Sequence, residues 1–395
     1  MAAPRTRELE HLLLVTVEDP EDPKAWSGIP HSLLRALQRR VPRVTAVGGA
    51  QMKPRRGLLH AGLRVALGGT PPRWPLWMTE PSLRHNAAVV EQAIARQRPD
   101  AVLSISSQCL ARLHTPLPTY MFHDAPWLAF KQTYARWDTM PARGPAFARA
   151  EAEAARRTRC VFTGSEWAVE QGMKLYGLSR ERFAETHLGA NWTPSHSREA
   201  LLEMAAERAQ SLAGGGTLEL LFLGKDWERK GGPLALEAAE LLHMQGQPVR
   251  LHIAGCRPPL PAGAEKFTSV HGVLDLGNAE HRAHLEQLFV ACHFLLVPTL
   301  AECFGIVFAE AQAFAVPPVS RRVDALPSIV RDSETGLLLP PDAPAHLYAQ
   351  ALREFVTDPA RYVRMATAAR ARYEEEFTWD HVAAVIHQKI NEHLS

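Results

Sequence analysis

Short apolar runs alternate with longer helical patterns along the whole chain, and this alternation limits the fold more than any other feature. In the first half, strands are expected near residues 12–17, 44–48, 101–106, 119–122 and 160–163. Helical patterns at 31–40, 83–97 and 145–157 lie among them. The scheme then repeats. Strands are expected near 218–223, 250–254, 293–298 and at Val319, with helices at 233–244, 281–291 and 304–314. Strand–helix alternation of this kind builds a parallel sheet covered by helices on both faces. A chain of 395 residues is long for one core, so two such α/β domains are expected. The polar stretch 191–197, with Pro194 in it, is the expected seam. It gives domains 1–191 and 192–376, and a terminal segment 377–395 in which Phe377-Thr378-Trp379 opens a last helix. Ligands of such sheets bind beyond the carboxyl ends of the strands, so two sheets facing each other would make a cleft.

Bulk properties remove several classes of function. Charged residues make up 22% and the net charge is +2, which gives no support to nucleic-acid binding. Cys109, Cys160, Cys256, Cys292 and Cys303 are far apart and odd in number, without a Cys-x-x-Cys pair. This suits a reducing cytosol and opposes a disulfide framework or zinc site. The apolar run at 12–17 is too short for a signal peptide and follows Arg5, Arg7, Glu8 and Glu10. No run approaches the roughly 18 apolar residues that suggest a transmembrane helix. The segment 51–73 carries Lys53, Arg55, Arg56, Arg64 and Arg73, with Trp74 and Trp77 just after. It reads as a membrane-facing or acceptor-binding surface, or as a solvated helix pair with two core tryptophans; the membrane reading is not favoured. The expectation is a cytoplasmic protein. Walker, Gly-x-Ser-x-Gly and Gly-x-Gly-x-x-Gly motifs are absent. Asp19 and Asp22 hint at an acidic metal site, but the neighbouring prolines favour a turn.

The chemistry concentrates in the second half. The apolar run ending at Val297 leads into Pro298-Thr299-Leu300-Ala301-Glu302-Cys303-Phe304-Gly305-Ile306-Val307, with Glu310 two turns further on. A helix N-terminus straight after a buried strand offers free N–H groups and the positive end of its dipole, an anion site at Phe304, Gly305, Ile306 and Val307. Carboxylates on either side, Glu302 and Glu310, can grip a polyhydroxylated ligand carrying a diphosphate. Upstream, Gly224-Lys225-Asp226-Trp227-Glu228-Arg229-Lys230-Gly231 also joins a strand to a helix. Its cations suit a phosphate and its glycines permit close backbone approach; read alone, it is a solvated charged turn. In the first half, Gly28 stands in the turn after the first strand. His123 ends a central strand, where it could hydrogen-bond a sugar or acceptor; it reads equally as a histidine satisfied by Asp124. Ser165 has the place of a helix N-cap.

These motifs together resemble the retaining glycosyltransferases of family four with the GT-B fold, the glycosyl transferases group 1. Glu302 and Glu310 match the Glu-x7-Glu signature. The order continues through Val316-Pro317-Pro318-Val319 to Thr335-Gly336-Leu337-Leu338, and His187 to Asn191 resembles the family's domain hinge. Two positions depart: Ala315 stands where the family usually has Gly, and Asp324-Ala325 where it often has Gly-Gly. The resemblance implies two Rossmann-like domains, with acceptor binding in the first, nucleotide-sugar binding in the second, and the last helix crossing back to the first. It implies that Glu302 contacts the donor sugar and Glu310 the ribose, and that configuration is retained. Lys230, with Lys225 in the family's Arg position and Arg229 beside it, would neutralise the leaving diphosphate. Gly28 would cover the diphosphate, and His123 would reach donor or acceptor. No cofactor or metal is expected. The expected partners are a nucleotide-sugar, a UDP-sugar by default, and an acceptor that the sequence does not identify: a glycan, a lipid-linked molecule or a small molecule. No residue presents itself as a covalent nucleophile, which favours a front-face path. A sugar-nucleotide epimerase on the same fold, or a non-catalytic nucleotide-sugar or glycan-binding protein, are the alternatives.

Overall fold

Both sets of apolar runs form parallel sheets. The structure is a computed structural model, and it describes residues 8–52, 79–135 and 144–395. The chain divides into two units, one of Met1–Leu188 with Trp379–Ser395, the other of Gly189–Thr378.

In the first unit the strands are β1 (His11–Val15), β2 (Arg43–Val47), β3 (Ala101–Ser104), β4 (Thr119–His123), β5 (Cys160–Thr163) and β6 (Phe183–Glu185). They lie in the order β2-β1-β3-β4-β5-β6, every neighbouring pair parallel. Leu12, Leu13, Leu14, Leu103, Phe122 and Phe162 are fully buried along the central strands. Burial of this kind stabilises by about 1.5–3 kcal/mol per large side chain, which is why near-continuous apolar runs become the middle of a parallel sheet. The terminal helix Trp379–Leu394 packs in this unit against Ile29–Gln38.

The second unit repeats the scheme with β7 (Leu218–Leu223), β8 (Val249–Ala254), β9 (Thr268–Gly272), β10 (Phe294–Leu296), β11 (Pro318–Arg321) and β12 (Leu337–Leu339). The order is β12-β11-β10-β7-β8-β9, again parallel throughout.

Three strands, β6, β9 and β12, do not stand out in the sequence. Two of them, Phe183–Glu185 and Leu337–Leu339, have three residues each, and Thr268–Gly272 mixes polar with apolar ones. All three are sheet edges, where one side of the strand lacks a neighbour and the apolar signal is weakest. The segment at 335–338, which reads as a turn, contains most of β12.

The helix expected from Phe304 begins at Ile306, because Gly305 has φ of 86° and serves as N-cap. Its far end closes with Val316 N–H donating to Ala311 O (3.0 Å) and Ala315 N–H to Gln312 O (3.1 Å). This double bond pattern needs a left-handed residue, and Ala315 supplies it at φ 54°. An alanine there costs roughly 1–2 kcal/mol in backbone strain, yet it keeps the geometry that glycine would give. The charged stretch from Lys53 through Trp77 lies outside the described residues. Among the described residues, no helix is long and apolar enough to cross a membrane.

Candidate functional site

The second sheet has its switch point between β7 and β10. The chain leaves β7 towards β8 and β9 on one side, then returns to β10 on the other. The loops leaving these two strands diverge, and the crevice between them is where doubly wound sheets bind ligands. Here the two loops are stitched together. Leu300 N–H donates to Arg229 O (2.8 Å), and Arg229 Nη1 donates to Ala301 O (3.0 Å). Gly231 makes the approach possible. Its φ is 76°, and a Cβ there would stand 2.0 Å from Pro298 O.

This stitching places Lys230 against Glu302. Lys230 Nζ forms an ion pair with Glu302 Oε2, and Arg229 Nη1 stands 3.7 Å from the same oxygen. Both members of the pair are almost withdrawn from solvent, Lys230 at 9% and Glu302 at 6% exposure. Glu302 is held from behind by Asp324, whose Oδ2 accepts the Glu302 N–H at 3.0 Å. Asp324 has φ 44° at the position where glycine is more usual, and Asp tolerates that region better than most residues. Burial, joined by the nearby Glu302 charge, pushes the Asp324 carboxyl up, against the bond from Glu302 N–H. Asp324 thus positions Glu302, a role the sequence pattern did not reveal.

Gly305 turns the chain into the helix Ile306–Ala313 directly after Glu302; a Cβ on it would sit 2.7 Å from Glu302 Cγ. The Phe308 N–H of that helix donates to Gly305 O (2.9 Å), and the N–H groups before it, which have no carbonyl within the helix to bond, add positive potential beside the Lys230–Glu302 pair. Ile306 and Val307 lie in that first turn. The Phe304 side chain is buried, with its ring 6.5 Å from that of Phe377, so what it can offer a ligand is its backbone. Lys225 is exposed and forms no ion pair among the described residues, so the inner cations of the turn are Arg229 and Lys230. Glu310 follows on the same helix. Burial raises its carboxyl to about 7, opposed by the Asn191 backbone N–H and the charge of Lys230.

The first unit presents a second set of groups. Trp26, Ser27 and Gly28 have φ of 40°, 55° and 82°, a run of left-handed residues that ends as the N-cap of Ile29–Gln38. His123 closes β4, 6% exposed. Its Nε2 lies 3.4 Å from the Tyr176 hydroxyl, which lies within the electrostatic reach of Glu151. Glu151 accepts from Ser107 Oγ (2.9 Å) and Trp127 N–H (2.8 Å). The His123 Nδ1 has no hydrogen-bond partner among the described residues. Burial holds the imidazole neutral, with its pKa lowered to about 4. Asp124 does not satisfy it; Asp124 Oδ1 accepts the Ala125 N–H instead. Ser165 caps Glu166–Tyr176 by accepting from Ala168 N–H, a structural task. Asp19 and Asp22 accept the N–H groups of Glu21 and Lys24, the turn that the prolines suggest.

Glu151 yields a prediction. Burial lifts its carboxyl to about 7, so the native state binds its proton more tightly than the unfolded chain. That stability is fully present below about pH 4.5 and is lost as pH rises through 7, by up to about 3 kcal/mol. Glu151→Gln cannot ionise but loses one acceptor, worth about 1 kcal/mol. The variant is expected to unfold at a lower temperature than the parent at pH 5 and at a higher one at pH 8. A difference in melting temperature that keeps its sign across that range would refute the assignment.

Comparison with known proteins finds similarity to the family that the motifs resemble. Residues 203–372 match the family model of glycosyl transferases group 1. The D-inositol 3-phosphate glycosyltransferase of Streptomyces avermitilis is 32% identical over 240 residues, 57% of this chain and 50% of that protein. Its Streptomyces coelicolor counterpart is 32% identical over 219 residues, 53% of this chain and 47% of that one. The chain thus spans about half the length of the curated relatives it matches. Among solved structures, sucrose-phosphate synthase from Thermosynechococcus elongatus superposes with a TM-score of 0.66 at 19% identity, covering 98% of this chain and 99% of that one. Anabaena HepE, solved in complex with UDP, gives 0.60 at 16% identity over 98% and 99%. The chain has the GT-B fold and is similar to group 1 glycosyltransferases.

Proposed function

We propose that the protein is a retaining glycosyltransferase that moves a sugar from a nucleotide-diphosphate sugar to an acceptor hydroxyl without a metal ion. The observation that carries this reading is the Lys230–Glu302 ion pair at the β7/β10 switch point, beside the helix that Gly305 opens. At rest the site neutralises itself. An arriving diphosphate competes for Lys230 and frees Glu302 to accept hydrogen bonds from sugar hydroxyls. As the bond from the anomeric carbon to the diphosphate oxygen breaks, negative charge grows on that oxygen. Lys230 and the helix N-terminus face that charge as fixed, preorganised positive groups. The acceptor oxygen attacks from the same face and passes its proton to the departing phosphate oxygen. Glu310 binds the ribose, and within the first unit Nδ1 of His123 accepts from a hydroxyl of the acceptor. A UDP-sugar is the first donor to try, since HepE, a protein of the same fold, was solved with UDP and with UDP-glucose.

The test is a thermal-shift titration with UDP, GDP, ADP and CDP, each with and without magnesium. A nucleotide at a hundred times its Kd stabilises the folded state by about 2.7 kcal/mol, a rise of several degrees. One nucleotide is expected to give that rise equally with and without magnesium. NMR of the product formed from the matching donor then reads the anomeric configuration. A magnesium-dependent shift, an inverted product, or donor converted with no acceptor present would each overturn part of the proposal.

A further inference from the structure

A cavity of about 540 Å³ opens in the first unit, lined by residues 115–119, 156–159, Arg182 and His393. Thr119 begins β4 and Arg159 directly precedes β5. The cavity therefore lies at the amino ends of these strands, the opposite edge of the sheet from His123.

Its lining holds Arg156, Arg157, Arg159 and Arg182 and no carboxylate. This composition is unusual in a chain whose 44 Lys and Arg are nearly balanced by 42 Asp and Glu. Three of the guanidinium groups are fixed by backbone carbonyls rather than by acids. Arg156 Nη1 donates to Tyr176 O (2.9 Å), and Arg157 Nη2 donates to Leu110 O and Ala111 O (3.0 Å each). Arg182 Nε donates to Arg159 O (3.3 Å), and its Nη2 donates to Arg156 O and Thr158 O. Neutral carbonyls orient these side chains but leave their charge uncompensated and several N–H donors unspent. The Arg159 side chain makes no hydrogen bond or ion pair among the described residues. The carbonyl end of the helix Gly144–Arg157 explains why cations gather here. It does not explain why four of them share one cavity without an acid. His393 on the far wall feels the same field: burial chiefly, then Lys389, Arg159 and Arg182, lower its pKa against the opposing Glu392.

We infer that this cavity is a second anion site, one that takes a phosphate-bearing ligand through the planar fork of Arg159 and the unspent N–H groups of Arg157. Guanidinium matches phosphate bidentately, and fixed carbonyl bonds reduce the ordering that binding would otherwise require. The phosphate can belong to a soluble phosphorylated molecule or to an anionic lipid headgroup. The inference is independent of the donor-site reading above.

The test uses the full chain and inorganic pyrophosphate, followed by calorimetry. Arg159→Ala and Arg157→Ala are expected to weaken, at least tenfold each, the pyrophosphate binding that persists in Lys230→Ala. Lys230→Ala leaves this site intact, and so does Arg96→Ala, an exposed substitution elsewhere in the unit. Flotation with vesicles of neutral lipid, with and without phosphatidylserine, separates the sources. Serine-lipid vesicles that retain the parent but not Arg159→Ala, and release it to pyrophosphate, identify a headgroup site; pyrophosphate binding without flotation identifies a soluble ligand. The inference fails if pyrophosphate does not bind, or if Lys230→Ala removes binding while Arg157→Ala and Arg159→Ala do not.

Discussion

Lys230→Ala is expected to lower kcat by about 10²–10³-fold while changing KM for the donor far less. The reason is the timing of charge. In the resting site Lys230 balances Glu302, and in a bound donor it would balance a diphosphate whose charge is already present. As the glycosidic bond breaks, the bridging oxygen gains further negative charge, and that increment is what a fixed ammonium stabilises most. The substitution also strands Glu302, which is 6% exposed and would lose its principal counter-charge. Leaving one member of a buried pair without its partner costs about 3–5 kcal/mol. Loss of activity must therefore be separated from loss of fold. The double variant Lys230→Ala with Glu302→Gln restores neutrality, so it is expected to recover most of the melting temperature and none of the activity. Lys230→Arg keeps the charge and is expected to retain part of the rate. Kinetics in Lys230→Ala within threefold of the parent would remove the phosphate role. A double variant as unstable as Lys230→Ala would show that the instability has another origin.

The parts of this molecule that the sequence discloses share a physical cause. Central strands such as Leu218–Leu223 are buried on both faces, so selection for apolar residues acts at nearly every position and the run is visible. Edge strands such as Thr268–Gly272 carry less of that demand and blend into their loops. Among candidate site residues, Glu302 and Glu310 stand out by their spacing, since both belong to one loop-and-helix unit. Lys230 is disclosed by the glycines that its turn requires. Asp324 and Glu151 are not, because each works on a residue more than twenty positions away and has no local pattern. A histidine with a free Nδ1 is equally invisible until Tyr176 is brought to its Nε2. Ala315 and Asp324 give a different lesson. Both lack the glycine that would announce a left-handed backbone, yet both adopt it, at φ 54° and 44°. The surrounding bonds dictate the conformation there: the helix end closes over Ala315, and the Asp324 carboxylate reaches the Glu302 N–H.

Glu310→Ala is expected to weaken nucleotide binding by about 10–100-fold, with a smaller effect on kcat at saturation. A carboxylate accepting from two ribose hydroxyls makes charge-assisted hydrogen bonds worth about 1.5–3 kcal/mol each, part of which water recovers in the variant. The distinctive part of this prediction is its pH dependence. Burial lifts the Glu310 carboxyl to about 7 in the free protein, so near neutral pH a large fraction carries a proton. A ribose that needs both oxygens as acceptors binds the ionised form best. Nucleotide affinity is therefore expected to rise between pH 6 and pH 8, by up to about tenfold, and binding at pH 6.5 to release a proton. The same shift has the opposite sign in folding. The stability that the neutral carboxyl contributes is present below about pH 4.5 and lost as pH passes 7, so the protonation state that suits the empty fold is the one that disfavours the nucleotide. Calorimetry in two buffers of different ionisation enthalpy reads the released proton directly. Glu310→Gln keeps the shape and one acceptor but cannot ionise. It is expected to bind weakly at every pH and to release no proton. If the Gln variant shows the same pH profile and proton release as the parent, another group titrates, and the ribose contact belongs elsewhere.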